Sequence, residues 1–316
     1  MLESLRTIDD VRLNFSVGAG YFINITLAMI MFGVALGIKV KDFKNVLHSP
    51  KLPVIGFLSQ FLALPIITFL LVILLKDNIT PTIGLGMLLV ASCPGGNISN
   101  FMSSYAKGNA ALSVTLTAIA TLSAIVLTPL NYSFWGKTYL NILAKSNHLA
   151  VHELVINPYD MFRTVFILLG IPLTLGMLVN NYFPRLTEKI FKPFRIFSLV
   201  AFMAMIVGLL HKNFDNFLLY IKFVFLIVLA HNIIAFLTGY YFAKSFRIKG
   251  SAQRTITIET GIQNSGLAIV LLINPRIFPP ELAIGGIAFI AAWWGVWHIV
   301  SGLILSISWS FYRPKS

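Results

Sequence analysis

The chain alternates long apolar blocks with short polar connections, and the blocks are long enough to cross a bilayer, which takes about 20 helical residues for about 30 Å of hydrocarbon. Blocks of this kind fall near 18–38, 52–75, 82–106, 109–131, 160–182, 192–211, 217–243, 255–274 and 282–311. They lack the period-2 alternation of a membrane barrel, and helices and closed barrels are the spanning structures that satisfy their own backbone in lipid. The pattern predicts an all-α polytopic membrane protein with about nine transmembrane helices. Composition agrees: 57% of the 316 residues are hydrophobic and 11% are charged, unlike any soluble domain of this length.

The N-terminal segment, "MLESLRTIDDVRLNFS", mixes charges and has no apolar stretch after its basic residues. It reads as an external segment over 1–17 rather than a cleavable signal, so the first helix acts as the insertion signal. Lys and Arg collect in alternate connections: Lys39, Lys41, Lys44 and Lys51; Arg185, Lys189, Lys192 and Arg195; Lys244, Arg247, Lys249 and Arg254; Arg313 and Lys315. With Lys107 these are 15 of the 24 basic residues. The positive-inside rule makes those loops cytoplasmic, with the N-terminus outside, the C-terminus inside and the chain in the cell (inner) membrane. The net charge of +13 then reflects topology and contact with anionic lipid head groups. Nucleic acid is not an expected partner, because no aromatic-interleaved soluble module accompanies the basic loops. The single cysteine, Cys93, excludes an intramolecular disulfide and a cysteine-clustered metal site.

Acidic residues change the picture most. Of eleven, ten fall in the N-terminal segment, in connections or at helix ends: Glu3, Asp9, Asp10, Asp42, Asp77, Glu153, Asp160, Glu188, Asp215 and Glu281. Glu259 alone enters a span. A carboxylate at that depth costs at least a few kcal/mol, so it is expected to face a cavity, a cation or a proton. The plainer alternative is a shallow pairing with Arg254, five residues earlier.

Around Glu259 the sequence reads "TITIETGIQNSG", with two glycines and several amide and hydroxyl side chains that suit a broken helix. A second interrupted block, "TIGLGMLLVASCPGGNISNFMSSYA" over 82–106, carries Pro94, Gly95 and Gly96 followed by Asn97, Ser99 and Asn100. Proline removes a backbone donor and the glycines relax the helix, so this span either kinks or splits into two half-helices. In the expected topology the two interrupted spans run in opposite directions, the arrangement of an inverted-repeat secondary transporter with a midplane site.

"CPGGNISN", "IETGIQNSGLA" and the closing "VWHIVSG" resemble signature segments of the bile acid:sodium symporter family, and "SQFLALP" is similar to a helix motif of its ten-helix members. The likeness runs from about residue 20 to 311 and implies the nine-helix form. It implies inverted repeats, two discontinuous crossing helices, and panel and core domains. These would comprise a panel helix at 18–38, a first core half at 52–131, an external loop at 132–159, panel helices at 160–211 and a second core half at 217–311.

The same resemblance implies two sodium sites. One draws on Ser99, Asn100, Ser113, Thr117 and Glu259; the other on Gln60, Glu259 and Gln263 with the carbonyls of Thr260 and Ile262. Oxygen donors of this kind suit a hard cation. Ser113 and Thr117 share one helix face, though hydroxyls there also commonly bond their own backbone. Gln60 alone would equally serve as interhelical glue. Substrate contacts are implied for Asn97, Asn264, His298 and Ile299, with His298 also readable as an interhelical hydrogen-bonding residue. Asn97 stands where bacterial bile-acid binders carry threonine, and Ile299 where they carry asparagine. The substrate is therefore an organic anion that is either bile-acid-like or a smaller carboxylate such as pantoate or a 2-oxo acid.

The expected activity is sodium-coupled import by alternating access, with sodium as coupling ion and no other cofactor. A proton-coupled transporter using Glu259 as carrier is the alternative. Enzymatic activity is not expected, since the spans hold no aspartates and the chain has neither a Walker A sequence nor HExxH. In the segment 131–158, "HLAVHE" spaces His148, His152 and Glu153 unlike a metalloprotease site, and reads as part of a solvated loop or an amphipathic flap.

Overall fold

A computed structural model of the chain describes residues 8–9, 17–38, 49–96, 98–145, 157–212, 214–279, 282 and 284–314. Eleven helices are numbered here in chain order: α1 (Val17–Ala35), α2 (Lys51–Leu74), α3 (Pro81–Ser92), α4 (Ile98–Tyr105), α5 (Ala110–Lys145), α6 (Pro158–Tyr182), α7 (Pro184–Lys212), α8 (Phe214–Ser245), α9 (Gly250–Gly261), α10 (Ser265–Ile273) and α11 (Gly285–Ser310). Among the described residues there is no strand, and one isolated antiparallel bridge pairs Gly95 with Gln263. The stretches Lys51–Leu74, Ala110–Lys145, Pro158–Tyr182, Tyr220–Ser245 and Gly285–Ser310 are each long and apolar enough to cross a membrane. The chain is an all-helical polytopic membrane protein.

Both interrupted blocks are broken. Thr80 caps α3 and Pro81 opens it, while Cys93 turns extended (φ −76°, ψ 158°) ahead of Pro94, which has no N–H to continue the helix. Helix α9 ends at Gly261 with Ile262 extended (φ −106°, ψ 104°), and the Asn264 side chain accepts the Leu267 N–H at 3.1 Å to start α10.

Helix α2 is continuous but widens in the middle, where Ser59–Ala63 forms a π-turn. Pro65 cannot donate to the carbonyl of Phe61 four residues back; that carbonyl instead accepts from Asn131 Nδ2 of α5 at 3.0 Å. The loop expected over 132–159 departs from the structure. Helix α5 passes through Pro129 and continues to Lys145, with Tyr132, Tyr139 and Leu143 buried along one face. That face packs on the interior, so tertiary burial sustains helix where local polarity suggested a connection. His148, His152 and Glu153 lie outside the described residues, as does Asn97.

The N-terminal segment also engages the bundle: Ile8 is buried, and the Asp9 carboxylate accepts from the Thr80 hydroxyl at 2.7 Å and from Thr82. An acid at the start of α3 suits the positive end of a helix dipole.

Candidate functional site

The two breaks cross each other. The Gly96 N–H donates to the Ile262 carbonyl at 2.8 Å, and the Asn264 N–H donates to the Pro94 carbonyl at 2.8 Å. Backbone groups freed by the two interruptions thus satisfy one another in the interior. The approach is too close for side chains at Gly95 and Gly96. A Cβ on Gly95 would sit 2.9 Å from a carboxylate oxygen of Glu259, and one on Gly96 would sit 3.1 Å from the Gln263 carbonyl. Four helix ends meet here: the C-termini of α3 and α9, with their outward carbonyls, and the N-termini of α4 and α10.

Glu259, in the last turn of α9, is 4% exposed. Its Oε1 accepts from Ser99 of α4 at 2.7 Å, from Ser113 of α5, and from Thr117 of α5 at 3.3 Å. Thr117 also reaches Oε2 at 3.2 Å and the Asn100 side-chain oxygen at 3.3 Å. Ser99, Ser113, Thr117 and Glu259, all buried, and half-buried Asn100 therefore form one cluster of oxygens. Among the described residues, the partners of Glu259 are hydroxyls.

The shallow pairing with Arg254 is not formed. The Arg254 guanidinium instead donates to the carbonyls of Ala106 at 2.6 Å, Trp309 at 2.8 Å and Tyr312 at 3.1 Å, and lies 5.4 Å from the Trp309 ring. It closes the C-terminal ends of α4 and α11, a favoured location for a cation. Charged hydrogen bonds of this sort are worth about 1.5–3 kcal/mol each. Arg254→Gln should lower the melting temperature by several degrees, equally in sodium and in potassium chloride, as read by thermal unfolding in detergent.

The second cluster adjoins the first. Gln60, on the π-turn of α2, donates through Nε2 to the Gln263 side-chain oxygen at 2.7 Å and to the Cys93 carbonyl at 3.0 Å. Gln263 Nε2 in turn donates to the Thr260 carbonyl at 2.7 Å. The remaining oxygen of Gln60, Oε1, is buried and receives no hydrogen bond. With both of its amide protons aimed at carbonyl acceptors, the orientation of Gln60 is fixed, and an orphaned buried oxygen is a place for a cation. The Ile262 carbonyl has one lone pair engaged by Gly96 and one left.

This combination of a proline-glycine break, a carboxylate break and a clasped glutamine can be set beside known proteins. The profile of the Sodium Bile acid symporter family matches residues 24–219. The chain belongs to this family. Among its relatives is the sodium-dependent transporter YocS of Bacillus subtilis, 32% identical over 289 residues, covering 92% of this chain and 83% of that one. "Probable sodium/metabolite cotransporter BASS1, chloroplastic" of Arabidopsis thaliana is 31% identical over 92% of this chain and 67% of its own length. The human ileal sodium/bile acid cotransporter is 27% identical over 84% of this chain and 72% of its own. The symporter family and these relatives are transporters, so this chain is a transporter and not an enzyme.

Of the residues singled out for substrate, Asn264, His298 and Ile299 are among the described residues. Asn264 spends its side-chain oxygen on the Leu267 cap, leaving its amide protons. His298 of α11 is 3% exposed, with Nδ1 2.5 Å from the Trp294 carbonyl. A carbonyl only accepts, so Nδ1 carries the proton and Nε2 is left as the free ring position. Ile299 packs on the apolar cluster of Met102, Ala106, Ile258 and Ile262.

Three participants escaped sequence reasoning. Ser59 hydrogen-bonds the Thr260 hydroxyl at 2.8 Å, which clasps α2 to α9 a residue away from Gln60. Asn232 of α8 donates to the Gly261 carbonyl at 2.9 Å, and Ser301 of α11 donates to Asn232 at 2.5 Å. The available signal was an amide inside an apolar span, "VLAHNIIAF".

Proposed function

We propose that the chain is a sodium-coupled symporter that imports an organic anion by alternating access. The single observation that carries this reading is the gathering of three hydroxyls from two other helices onto Glu259 at the helix crossing. One sodium ion would be held by Ser99, Asn100, Ser113, Thr117 and Glu259, and a second by Gln60, Glu259, Gln263 and the carbonyls of Thr260 and Ile262. The unpartnered oxygen of Gln60 and the spare lone pairs at the crossing are the donors such an ion prefers. Two cations beside one carboxylate leave net positive potential, reinforced by the N-termini of α4 and α10. An anionic substrate would then meet Asn97, Asn264 and His298, with Ile299 shaping the apolar side of the pocket. Because sodium would draw the two breaks together, sodium and substrate affinities should rise together by the same factor.

In this reading the nine predicted spans form inverted repeats, α1, α6 and α7 make the panel, and the remaining helices make the core that rocks against it. The protein sits in the cell membrane with its N-terminus outside. Names of relatives that mention bile acid and metabolites support the organic-anion class, either bile-acid-like or a smaller carboxylate.

The test is the melting temperature of detergent-purified protein titrated with sodium chloride against potassium chloride at constant ionic strength. At sodium a hundredfold above the dissociation constant, linkage stabilises the folded state by about 2.7 kcal/mol, a rise on the order of 5 °C. Equal curves in the two salts would overturn sodium coupling and turn attention to proton coupling, read by repeating the titration across pH. Sodium-dependent uptake of labelled carboxylates into proteoliposomes then identifies the substrate.

A further inference from the structure

The break between α9 and α10 leaves a series of backbone carbonyls without helical donors, and their replacements can be followed one by one. The Thr260 carbonyl takes the Gln263 amide, the Ile262 carbonyl takes Gly96 N–H at 2.8 Å, and the Gln263 carbonyl takes Ser265 N–H at 3.0 Å. The Gly261 carbonyl, between them, goes elsewhere: to Asn232 Nδ2 of α8 at 2.9 Å. Asn232 is fully buried, and its own oxygen is held by the Ser301 hydroxyl of α11 at 2.5 Å. Both functional ends of one amide in an apolar span are thus committed, one to the break and one to the helix that carries His298.

Direction matters here. Ile262 is extended, so the carbonyls of Gly261 and Ile262 face opposite ways, one toward α8 and the other toward Gly96. Holding the Gly261 carbonyl on α8 therefore also sets the peptide planes on either side of it. Those neighbouring planes bear the Thr260 and Ile262 carbonyls. Contact behind them is tight: a Cβ on Gly239 of α8 would lie 2.8 Å from the Thr257 backbone, so α8 is a rigid wall for α9 rather than a loose neighbour.

We propose that Asn232, held in turn by Ser301, is a positioning residue for the second sodium site, aiming the Thr260 and Ile262 carbonyls and the Gln263 side chain at the ion. The assignment rests on the sodium-coupled reading above. Asn232 does not touch the ion; it fixes the peptide that does. Without its amide, the Gly261 carbonyl turns to seek another donor and carries the adjacent carbonyls with it.

The experiment is the sodium titration of melting temperature, against potassium at constant ionic strength, on the full-length chain with Asn232→Leu, Ser301→Ala and Ser301→Thr. Leucine keeps the forked shape of the side chain and removes its donor and acceptor. Asn232→Leu should shift the sodium concentration at the half-maximal response upward about tenfold, and Ser301→Ala about threefold, as expected for loss or loosening of one buried hydrogen bond. Ser301→Thr, which retains the hydroxyl, should stay at the wild-type midpoint. A merely structural cap would lower the melting temperature equally in both salts and leave the midpoint where it is; that result overturns the proposal. If Asn232→Leu does not fold, the comparison of Ser301→Ala with Ser301→Thr decides the matter alone. A wild-type chain that ignores sodium removes the sodium reading itself, and this proposal with it, whereas a responsive wild type with unmoved variants removes only the proposal.

Discussion

Glu259→Ala is expected to give a folded chain that no longer distinguishes sodium from potassium. The carboxylate is 4% exposed and accepts hydrogen bonds from Ser99, Ser113 and Thr117. Taking a charge to that depth costs several kcal/mol, and the hydroxyls offset only part of this. Removing it lifts the desolvation penalty, and the three hydroxyls can rotate onto carbonyls of their own helices, as Thr121 already does with Thr117. The variant in potassium should therefore melt at or above the wild-type temperature. In sodium, the increment of about 2.7 kcal/mol expected at a hundredfold excess should vanish. Sodium-driven uptake should fall at least about a hundredfold, since loss of the shared carboxylate removes both cation sites. Glu259→Gln separates charge from shape: it preserves volume and an accepting oxygen, and should be as unresponsive as alanine. A glutamine variant with the wild-type sodium curve would show that neutral oxygens suffice.

The positions of Pro94, Gly95 and Gly96 made the first break readable, because proline's missing donor and adjacent glycines have local consequences that need no tertiary context. The break after Gly261 was legible for a different reason, a carboxylate and two amides in a span where lipid would reject them. The family resemblance supplied what periodicity could not, namely that Gln60 and Ser113 converge with Glu259 from segments more than a hundred residues away. In the structure Ser113 donates to Glu259, and Gln60 donates to Gln263 at 2.7 Å.

What stayed illegible is equally physical. The π-turn at Ser59–Ala63 has a local mark in Pro65, but its partner does not: the Phe61 carbonyl that the proline cannot engage is taken by Asn131 across the bundle. The helical continuation from Asn131 to Lys145 was missed because its buried face includes Tyr132 and Tyr139, amphipathic residues that read as interfacial in sequence and pack inside in space. The plainer alternative, a pairing of Arg254 with Glu259, rested on proximity along the chain. On α9 those residues are five apart, so they do not share a face, and the guanidinium turns instead to the ends of α4 and α11.

Gly95→Ala and Gly96→Val should fail in different ways, although the residues are adjacent and both sit at the crossing. An alanine Cβ at position 95 would meet Glu259 Oε2 at 2.9 Å and the Glu259 carbonyl at 3.4 Å. The nearest obstacle is the end of a side chain, which can retreat by a few tenths of an ångström. Retreat, however, draws the carboxylate away from Ser99, Ser113 and Thr117, so the strain is relieved at the expense of the cation site rather than of the fold. Overpacking of this size costs about 1–3 kcal/mol. Expressed at the site, that is a sodium midpoint about 10- to 100-fold higher, with the melting temperature in potassium little changed. At position 96 the obstacle is the Gln263 main chain, with its carbonyl oxygen at 3.1 Å and carbonyl carbon at 3.4 Å. Valine's branches cannot be relieved by a rotamer change there. The two breaks must separate, which strains the bond from the Gly96 N–H to the Ile262 carbonyl and removes backbone partners from the interior. Gly96→Val should accordingly melt far lower in both salts, or not be recovered folded. Paired titrations of the two variants read the difference directly. A Gly95→Ala chain with the wild-type sodium midpoint would mean that the ion does not depend on where the Glu259 carboxylate lies, and the assignment of that carboxylate as the shared ligand would fall.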